Sequence, residues 1–199
     1  MKKMVILIAA LAMVTGFSTS SFADISGSAH DLSSTTPGNQ ICVVCHTPHN
    51  SDTAVTGAPL WDHTVTTETF TLYSLPSSTG TLGTSLLCLS CHDGATNVDA
   101  FGGSGGTGSL GSVAFPETIT GSVVGTDLQD DHPVAVTYPS GGNSDFHSDA
   151  SFTGTLTPKL FSGVVECASC HDPHGVTGVT KFLRLANSNS DLCLACHIK

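Results

Sequence analysis

The sequence predicts a fold with little regular structure, in which short helices carry four cysteine motifs and a few short strands lie elsewhere. The pattern C-x-x-C-H occurs four times, and positions i, i+3 and i+4 share one face when the pattern forms a helical turn. Residues 102–109 contain only Gly, Ser and Thr, a composition that favours an irregular loop. The 199 residues are too few to build a large peptide core around four such motifs.

The four motifs predict covalent attachment of four haem c groups. The two thiols of such a motif form thioethers with the vinyl groups of the macrocycle, and the histidine binds the iron. A zinc site, a redox-active pair or a disulfide framework would explain the cysteine pairs, but none of these requires the histidine that follows every pair. The attachment residues, which are all eight cysteines of the chain, are Cys42, Cys45, Cys88, Cys91, Cys167, Cys170, Cys193 and Cys196. The proximal iron ligands that follow them are His46, His92, His171 and His197.

The N-terminus predicts an export signal over residues 1–23. Lys2 and Lys3 precede an apolar run at positions 4–14, and positions 21–23 read Ser-Phe-Ala, a small-x-small cleavage site. We therefore expect a mature body over residues 24–199, which allows 44 residues for each haem. With so little peptide, the haems themselves are expected to form the core, and the haem-free chain is expected to be largely unfolded. No later stretch has eighteen uncharged apolar residues, so no membrane span is expected.

The same cleavage would remove Met1, Met4 and Met13, which are all the methionines of the chain. Met/His ligation of haem iron is then unavailable to the mature protein. The mature charge is strongly acidic, with four basic residues against sixteen acidic ones. Binding to nucleic acid is therefore not expected, whereas a basic redox partner is compatible with the charge.

Between the motifs, the local sequence predicts short or irregular elements. Residues 24–40 form a polar arm, and residues 58–63 contain the single tryptophan, which is expected to pack on a porphyrin face or cap the small core. Residues 65–75 alternate threonine with apolar residues, which predicts a short strand or a hairpin arm. Pro48 is expected to end a short helix at the first motif.

The motifs form an internal repeat. The first and third share C-x-x-C-H-x-P-H, and the second and fourth share S-x-L-C-L-x-C-H. The chain is therefore interpreted as one dihaem unit used twice, over residues 42–92 and 167–197, with a Gly/Ser/Thr-rich insert at 93–166. Because neither copy has enough peptide to cover its haems, we expect one continuous body.

Six histidines remain as candidates for the second ligand of each iron. His49 and His174 each lie three residues after a proximal histidine, and three extended residues reach only about 10 Å. They must therefore bind a neighbouring haem if they bind one at all. The expected distal ligands are His49, His63, His132, His174 and His30. For each of them, and more so for His147, the alternative is an exposed loop histidine with no iron.

The repeated motifs, together with the Pro-Leu-Trp-Asp-His segment at 59–63, resemble the doubled-CXXCH multihaem cytochromes. They are similar in particular to the extracellular tetrahaem cytochromes that form conductive filaments in metal-reducing bacteria, of the outer-surface cytochrome E type. The resemblance implies a mostly irregular, haem-cored protomer with bis-histidine irons. It also implies an extracellular or cell-surface location and head-to-tail polymerisation, with one distal histidine donated to the next protomer. His30, on the terminal arm, is the candidate for that donor.

The function expected from these features is electron transfer along low-potential bis-histidine haems, with redox proteins or extracellular acceptors as partners. A conductive filament and a monomeric periplasmic shuttle both fit the sequence. A multihaem reductase is the alternative from another class. Catalysis at iron needs an open coordination position, whereas this chain has more histidines than its irons require, so no enzyme activity is expected.

Overall fold

The computed structural model describes residues 24–103, 122–141, 144–152 and 157–199. The expected export signal and most of the glycine-rich segment lie outside these ranges. Within them, three α-helices are present: α1 (Ser85–His92), α2 (Cys167–Cys170) and α3 (Asp191–Cys196). Each carries one of the cysteine motifs. Isolated helices this short are unstable in water, so their persistence depends on what packs against them.

Short 3-10 turns and one minimal sheet make up the remaining regular structure of the described ranges. The strands β1 (Val136–Thr137) and β2 (Val164–Val165) pair antiparallel, with Val136 opposite Val165. The 3-10 turns span Ser33–Thr35, Pro37–Asn39, Asp149–Ser151, Thr180–Phe182 and Ser188–Ser190. The predicted fold class, mostly irregular with short helices at the attachment motifs and a few short strands, is confirmed. None of the described helices is long and apolar enough to traverse a bilayer.

Two local expectations were wrong. The first motif forms a single hydrogen-bonded turn rather than a helix, with His46 N donating to Cys42 O at 2.8 Å. Residues 65–75 form no strand, and only an isolated bridge joins Thr71 to Asp127. A period-two pattern needs a partner strand to become a ladder, and this segment has no strand beside it in the described chain.

The two dihaem units share a backbone hydrogen-bond pattern that extends beyond their sequence similarity. In the first unit, Thr47 N donates to Leu60 O at 2.9 Å and Asp62 N donates to Cys45 O at 3.0 Å. In the second unit, Asp172 N donates to Phe182 O at 2.7 Å and Arg184 N donates to Cys170 O at 2.8 Å. The segments 59–62 and 181–184 are therefore structural equivalents, although no equivalent position carries the same residue type.

The peptide core is small and contains many polar groups. The buried apolar side chains of the described ranges are Val44, Val55, Trp61, Leu89, Ala100, Leu128, Ala135, Val136 and Tyr138. The buried polar side chains are almost as numerous: Thr36, His63, Thr66, Ser85, Ser90, Asp93, Glu166 and Ser169. Hydrogen bonds must therefore organise much of the interior, since each buried polar group is costly without a partner.

The N-terminal arm is docked onto the second dihaem unit. Asp24 N donates to His174 O at 2.6 Å. Gly175 has a φ of +81°, and a Cβ there would come within 2.9 Å of the Asp24 Cβ, so a larger residue at 175 would push the arm away. His30 Nδ1 hydrogen-bonds to Pro173 O at 3.1 Å, and its ring stacks on Phe182 at 4.2 Å. The arm thereby carries His30 from the start of the chain to its second half.

Candidate haem centres

The four attachment sites follow one another in space in the order of the sequence. Burial raises the pKa of Cys91 to about 12, and the nearby Cys45 of the first site adds to this shift. Burial likewise raises the pKa of Cys196 to about 11, with a contribution from Cys170 of the third site. Both effects require sulfurs of consecutive sites to lie close together. The first site therefore neighbours the second, and the third neighbours the fourth.

The second and third sites meet at the junction of the two dihaem units. The Cys88 thiol hydrogen-bonds to Cys167, and this bond raises the pKa of Cys88 and lowers that of Cys167. Attachment of haem to both residues would place two macrocycles side by side at this point. The contact makes the series of four sites continuous through the chain.

Three proximal histidines each face a second histidine of the same chain. His174 lies opposite His46, with ring centres 6.0 Å apart and 16° between the ring planes. His30 lies opposite His92 at 6.2 Å and 69°. His132 lies opposite His197 at 6.3 Å and 69°. In all three pairs the distal histidine is far from its partner in sequence, so the fold brings them together.

These spacings fit an iron held between two imidazoles. Metal–nitrogen bonds of about 2.0–2.1 Å, with each ring centre about 1 Å behind its nitrogen, place the two ring centres about 6 Å apart. Rings in direct face contact would be closer, as His30 and Phe182 are at 4.2 Å. The residues present therefore fit a bis-histidine haem at three of the four sites.

Backbone carbonyls orient many of the rings through Nδ1. Such a bond fixes the tautomer and turns Nε2 toward the metal, the usual outer-shell arrangement of metal-binding histidines. The Nδ1 atom of His46 bonds to Pro59 O at 2.8 Å, and that of His171 bonds to Lys181 O at 3.0 Å. Three further pairs have the same geometry: His92 with Ser122 O, His132 with Pro133 O and His30 with Pro173 O.

His174 has a carboxylate in place of a carbonyl. Its Nδ1 lies 3.5 Å from Asp172 Oδ1, and Arg184 Nη1 holds the other oxygen of Asp172 at 3.0 Å. Arg184 also donates to Ala168 O at 2.7 Å. The series Arg184–Asp172–His174 therefore orients the ring that faces His46.

His30 is kept in the neutral form that a metal ligand requires. Burial lowers its pKa, and the neighbouring His92, His174 and His171 lower it further, against the opposing effect of the hydrogen bond to Pro173. His30, which the resemblance made the candidate donor to another protomer, thus faces His92 of its own chain.

His171 differs from the other proximal histidines. Among the described residues, no histidine ring lies opposite it at about 6 Å. Of the remaining candidates, His49 and His147 are exposed and face no proximal histidine within the ranges described. The third site therefore has one imidazole from this chain, and the chain has histidines to spare.

His63 occupies a different environment from the facing pairs. It is 1% exposed, its Nδ1 lies 2.9 Å from Thr64 O, and its Nε2 lies 3.1 Å from Val98 O and 3.4 Å from Cys91 Sγ. Both ring nitrogens are thus directed at backbone carbonyls. Its structural equivalent in the second unit, one residue after Arg184, is Leu185. His63 therefore packs beside the second attachment site in this arrangement.

Two cavities lie beside the attachment segments. The larger, of about 590 Å³, is lined by Asp149, Phe152, Thr157, Pro158, Lys159, Leu160, Gly163, Asp172 and Arg184. The smaller, of about 420 Å³, lies over the first motif and is lined in part by Cys42, Val43 and His46. Each offers apolar surface next to a motif, as a covering for a macrocycle requires. Lys159 and Arg184 are two of the four basic residues that follow residue 23.

Sequence reasoning missed the buried carboxylates. Asp93 and Glu166 are 4% and 3% exposed. Hydrogen bonds from Thr66, Thr96 and the backbone of residues 95–96 lower the pKa of Asp93, although burial opposes them. The only sequence signal was position: Asp93 follows the second motif and Glu166 precedes the third.

Comparison with known families identifies the doubled CXXCH motif in residues 162–199. This match covers the third and fourth attachment sites and supports a multihaem c-type cytochrome that binds haem covalently. No curated protein matches the chain. The first and second sites lie outside the match. Their assignment as haem sites rests on their C-x-x-C-H motifs and on the geometry of their histidines.

Proposed function

We propose that this chain is a tetrahaem cytochrome that passes electrons along four closely spaced haems. The observation that carries the proposal is the set of three facing histidine pairs, whose ring centres lie 6.0–6.3 Å apart. The cysteines of consecutive sites also lie near one another. Haem supplies the redox-active iron. The chain's residues hold it at fixed positions, exclude exchangeable ligands from both faces at three of the four sites and keep neighbouring macrocycles close together.

Mass spectrometry of the exported protein is expected to show the mass of four haems on a chain that begins at Asp24. Replacing Cys193 and Cys196 with alanine removes the two thioether positions of the fourth site, so this variant is expected to carry three haems. A wild-type mass with fewer than four haems would contradict the tetrahaem assignment.

We further propose that the chain is the protomer of an extracellular filament, joined by a copy of its own internal junction. Inside the chain, Cys88 of the first unit contacts Cys167 of the second. The equivalent residues at the two ends of the series, Cys193 and Cys42, are exposed. A second copy placed head-to-tail would bring these two together in the same way, and such contacts propagate without closing into a ring.

The same repeat predicts which histidine crosses between protomers. Inside the chain, the last histidine of the third motif, His174, faces the proximal histidine of the preceding unit, His46. The equivalent histidine of the first motif is His49, and the proximal histidine of a preceding unit in a polymer would be His171 of another copy. His49 is exposed, and His171 has no facing ring among the described residues. His49 therefore replaces His30 as the proposed donor.

Electron microscopy of material shed by the producing cells tests the polymer. Filaments whose repeat corresponds to one protomer are expected, and antibodies to this chain are expected to label them. Single particles of one chain, under conditions that preserve surface appendages, would favour the periplasmic shuttle instead.

A reductase remains the second candidate, because one site has only one histidine from its own chain. An open iron at His171 would lie near the larger cavity, which is lined by Lys159 and Arg184 and by the carboxylates of Asp149 and Asp172, and would be accessible to a small substrate. Cyanide or carbon monoxide added to assembled protein separates the two functions. No spectral change is expected for the filament, whereas a change at one haem in the assembled form would favour the reductase.

A further inference from the structure

A buried carboxylate lies at the junction of the two dihaem units. Glu166 directly precedes Cys167 and is 3% exposed. Its carboxylate accepts hydrogen bonds from Gly83 N at 3.0 Å, from Ser85 N at 3.1 Å and from the Ser85 hydroxyl. Ser85 is the first residue of α1, which carries the second attachment site. One side chain of the third site therefore holds the start of the helix that carries the second.

A second hydrogen bond closes this connection in the opposite direction. Cys167 N donates to Ser85 Oγ at 2.9 Å. Ser85 is fully buried. It forms hydrogen bonds with both Glu166 and Cys167. Ser169 Oγ accepts from Glu166 N at 2.9 Å and ties the Glu166 backbone to the first turn of α2. The positions of Cys88 and Cys167 are therefore fixed relative to each other by a closed set of hydrogen bonds.

Gly83 indicates how closely the carboxylate fits. A Cβ at Gly83 would lie 2.7 Å from Glu166 Oε1, closer than a Cβ approaches an oxygen in folded proteins. Only glycine leaves room for the carboxylate at this position. Among the described residues Glu166 forms no ion pair, so its three hydrogen bonds must offset the cost of burial.

The attachment motif itself does not require this carboxylate. The residue that precedes the first motif, and is therefore equivalent to Glu166, is Ile41. The Ser85 position is repeated as Ser190 before the fourth motif, but Ser190 is not buried. The combination of serine and glutamate thus occurs where two units meet within the chain and not at its two ends.

We propose that Glu166 is a positioning residue that fixes the second haem site against the third and so sets the electron-transfer step between the two dihaem units. This inference rests on the proposed electron-transfer function. Glu166 acts through Ser85, Gly83 N and Cys167 rather than by touching iron. Its carboxylate also puts one formal negative charge between the two sites, which favours the oxidised state of both haems.

The test follows electron exchange within purified holoprotein by NMR of the haem methyl groups during stepwise reduction. In the wild type, fast exchange among all four haems is expected to give one averaged line for each methyl at each stage. Glu166→Ala is expected to lose fast exchange between the second and third haems, while exchange within each dihaem unit stays fast. Glu166→Gln keeps one of the two acceptor oxygens, so it is expected to restore exchange in part. Because it removes the charge, it is also expected to raise the potentials of the second and third haems only.

Two further variants make the test specific. Gly83→Ala keeps the glutamate but displaces its carboxylate, so it is expected to reproduce the exchange defect if Glu166→Ala fails to fold. Glu68→Ala removes an exposed glutamate and is expected to behave as the wild type. Unchanged exchange and unchanged potentials in Glu166→Ala and Gly83→Ala, with four haems bound, would overturn the role of Glu166. Slow exchange in the wild type would instead overturn the proposed electron-transfer function.

Discussion

Replacing His174 with alanine is expected to leave the haem at His46 with a single histidine ligand. The ring of His174 faces His46 at 6.0 Å, and Asp172 and Arg184 hold it there. Alanine cannot bind iron, and in the described ranges no other histidine ring faces His46. The expected result is one haem of four changing from low spin to high spin and becoming able to bind carbon monoxide.

Absorption and electron paramagnetic resonance spectra of the monomeric holoprotein measure this change. The matched control is His49→Ala, because His49 occupies the same position after the first motif as His174 occupies after the third. In the monomer, His49→Ala is expected to leave the spectrum as it is in the wild type. A high-spin fraction of monomeric His174→Ala no larger than that of the monomeric wild type would contradict the pairing of His174 with His46.

The local chemistry of the sites could be predicted from sequence because it depends on adjacent residues. Both cysteines and the proximal histidine of each motif lie within five positions, so the motif itself defines them. The reach argument for His174 also relies on local geometry alone, since three residues cannot pass around a macrocycle. The structure places His174 beside His46, at a neighbouring site.

The remaining pairings could not be predicted because they depend on how distant segments pack. His30 meets His92 only because the arm docks at Asp24 and Pro173. His63 is a histidine like His30 and lies in a stiff segment, yet its ring nitrogens are directed at Thr64 O and Val98 O rather than at a proximal histidine. Nothing near either residue in sequence distinguishes these environments.

The equivalence of segments 59–62 and 181–184 was also invisible to sequence reasoning. Their likeness lies in backbone hydrogen bonds, which any residue except proline at the donor position can make. Leu60 and Phe182 even share a positive φ, of 52° and 55°. The shared backbone pattern shows that the two units are alike beyond their motifs. The contact between the two units inside one chain can therefore serve as a template for the contact between two copies.

Replacing His49 with alanine is expected to abolish filaments while leaving the isolated chain intact. In the proposed polymer, His49 supplies the second ligand to the haem at His171 of the neighbouring copy, and iron–histidine bonds are among the strongest contacts such an interface can have. The interface would lose that bond at every protomer, so the expected result is loss of assembly rather than a shorter polymer.

Electron microscopy and light scattering of the purified variant measure assembly, and its haem content measures folding. His147→Ala is the matched control, because His147 is also exposed and also has no facing histidine in the described chain, but it has no equivalent in the internal repeat. It is expected to assemble as the wild type does. If His147→Ala rather than His49→Ala prevented assembly, the junction between copies would not repeat the internal one.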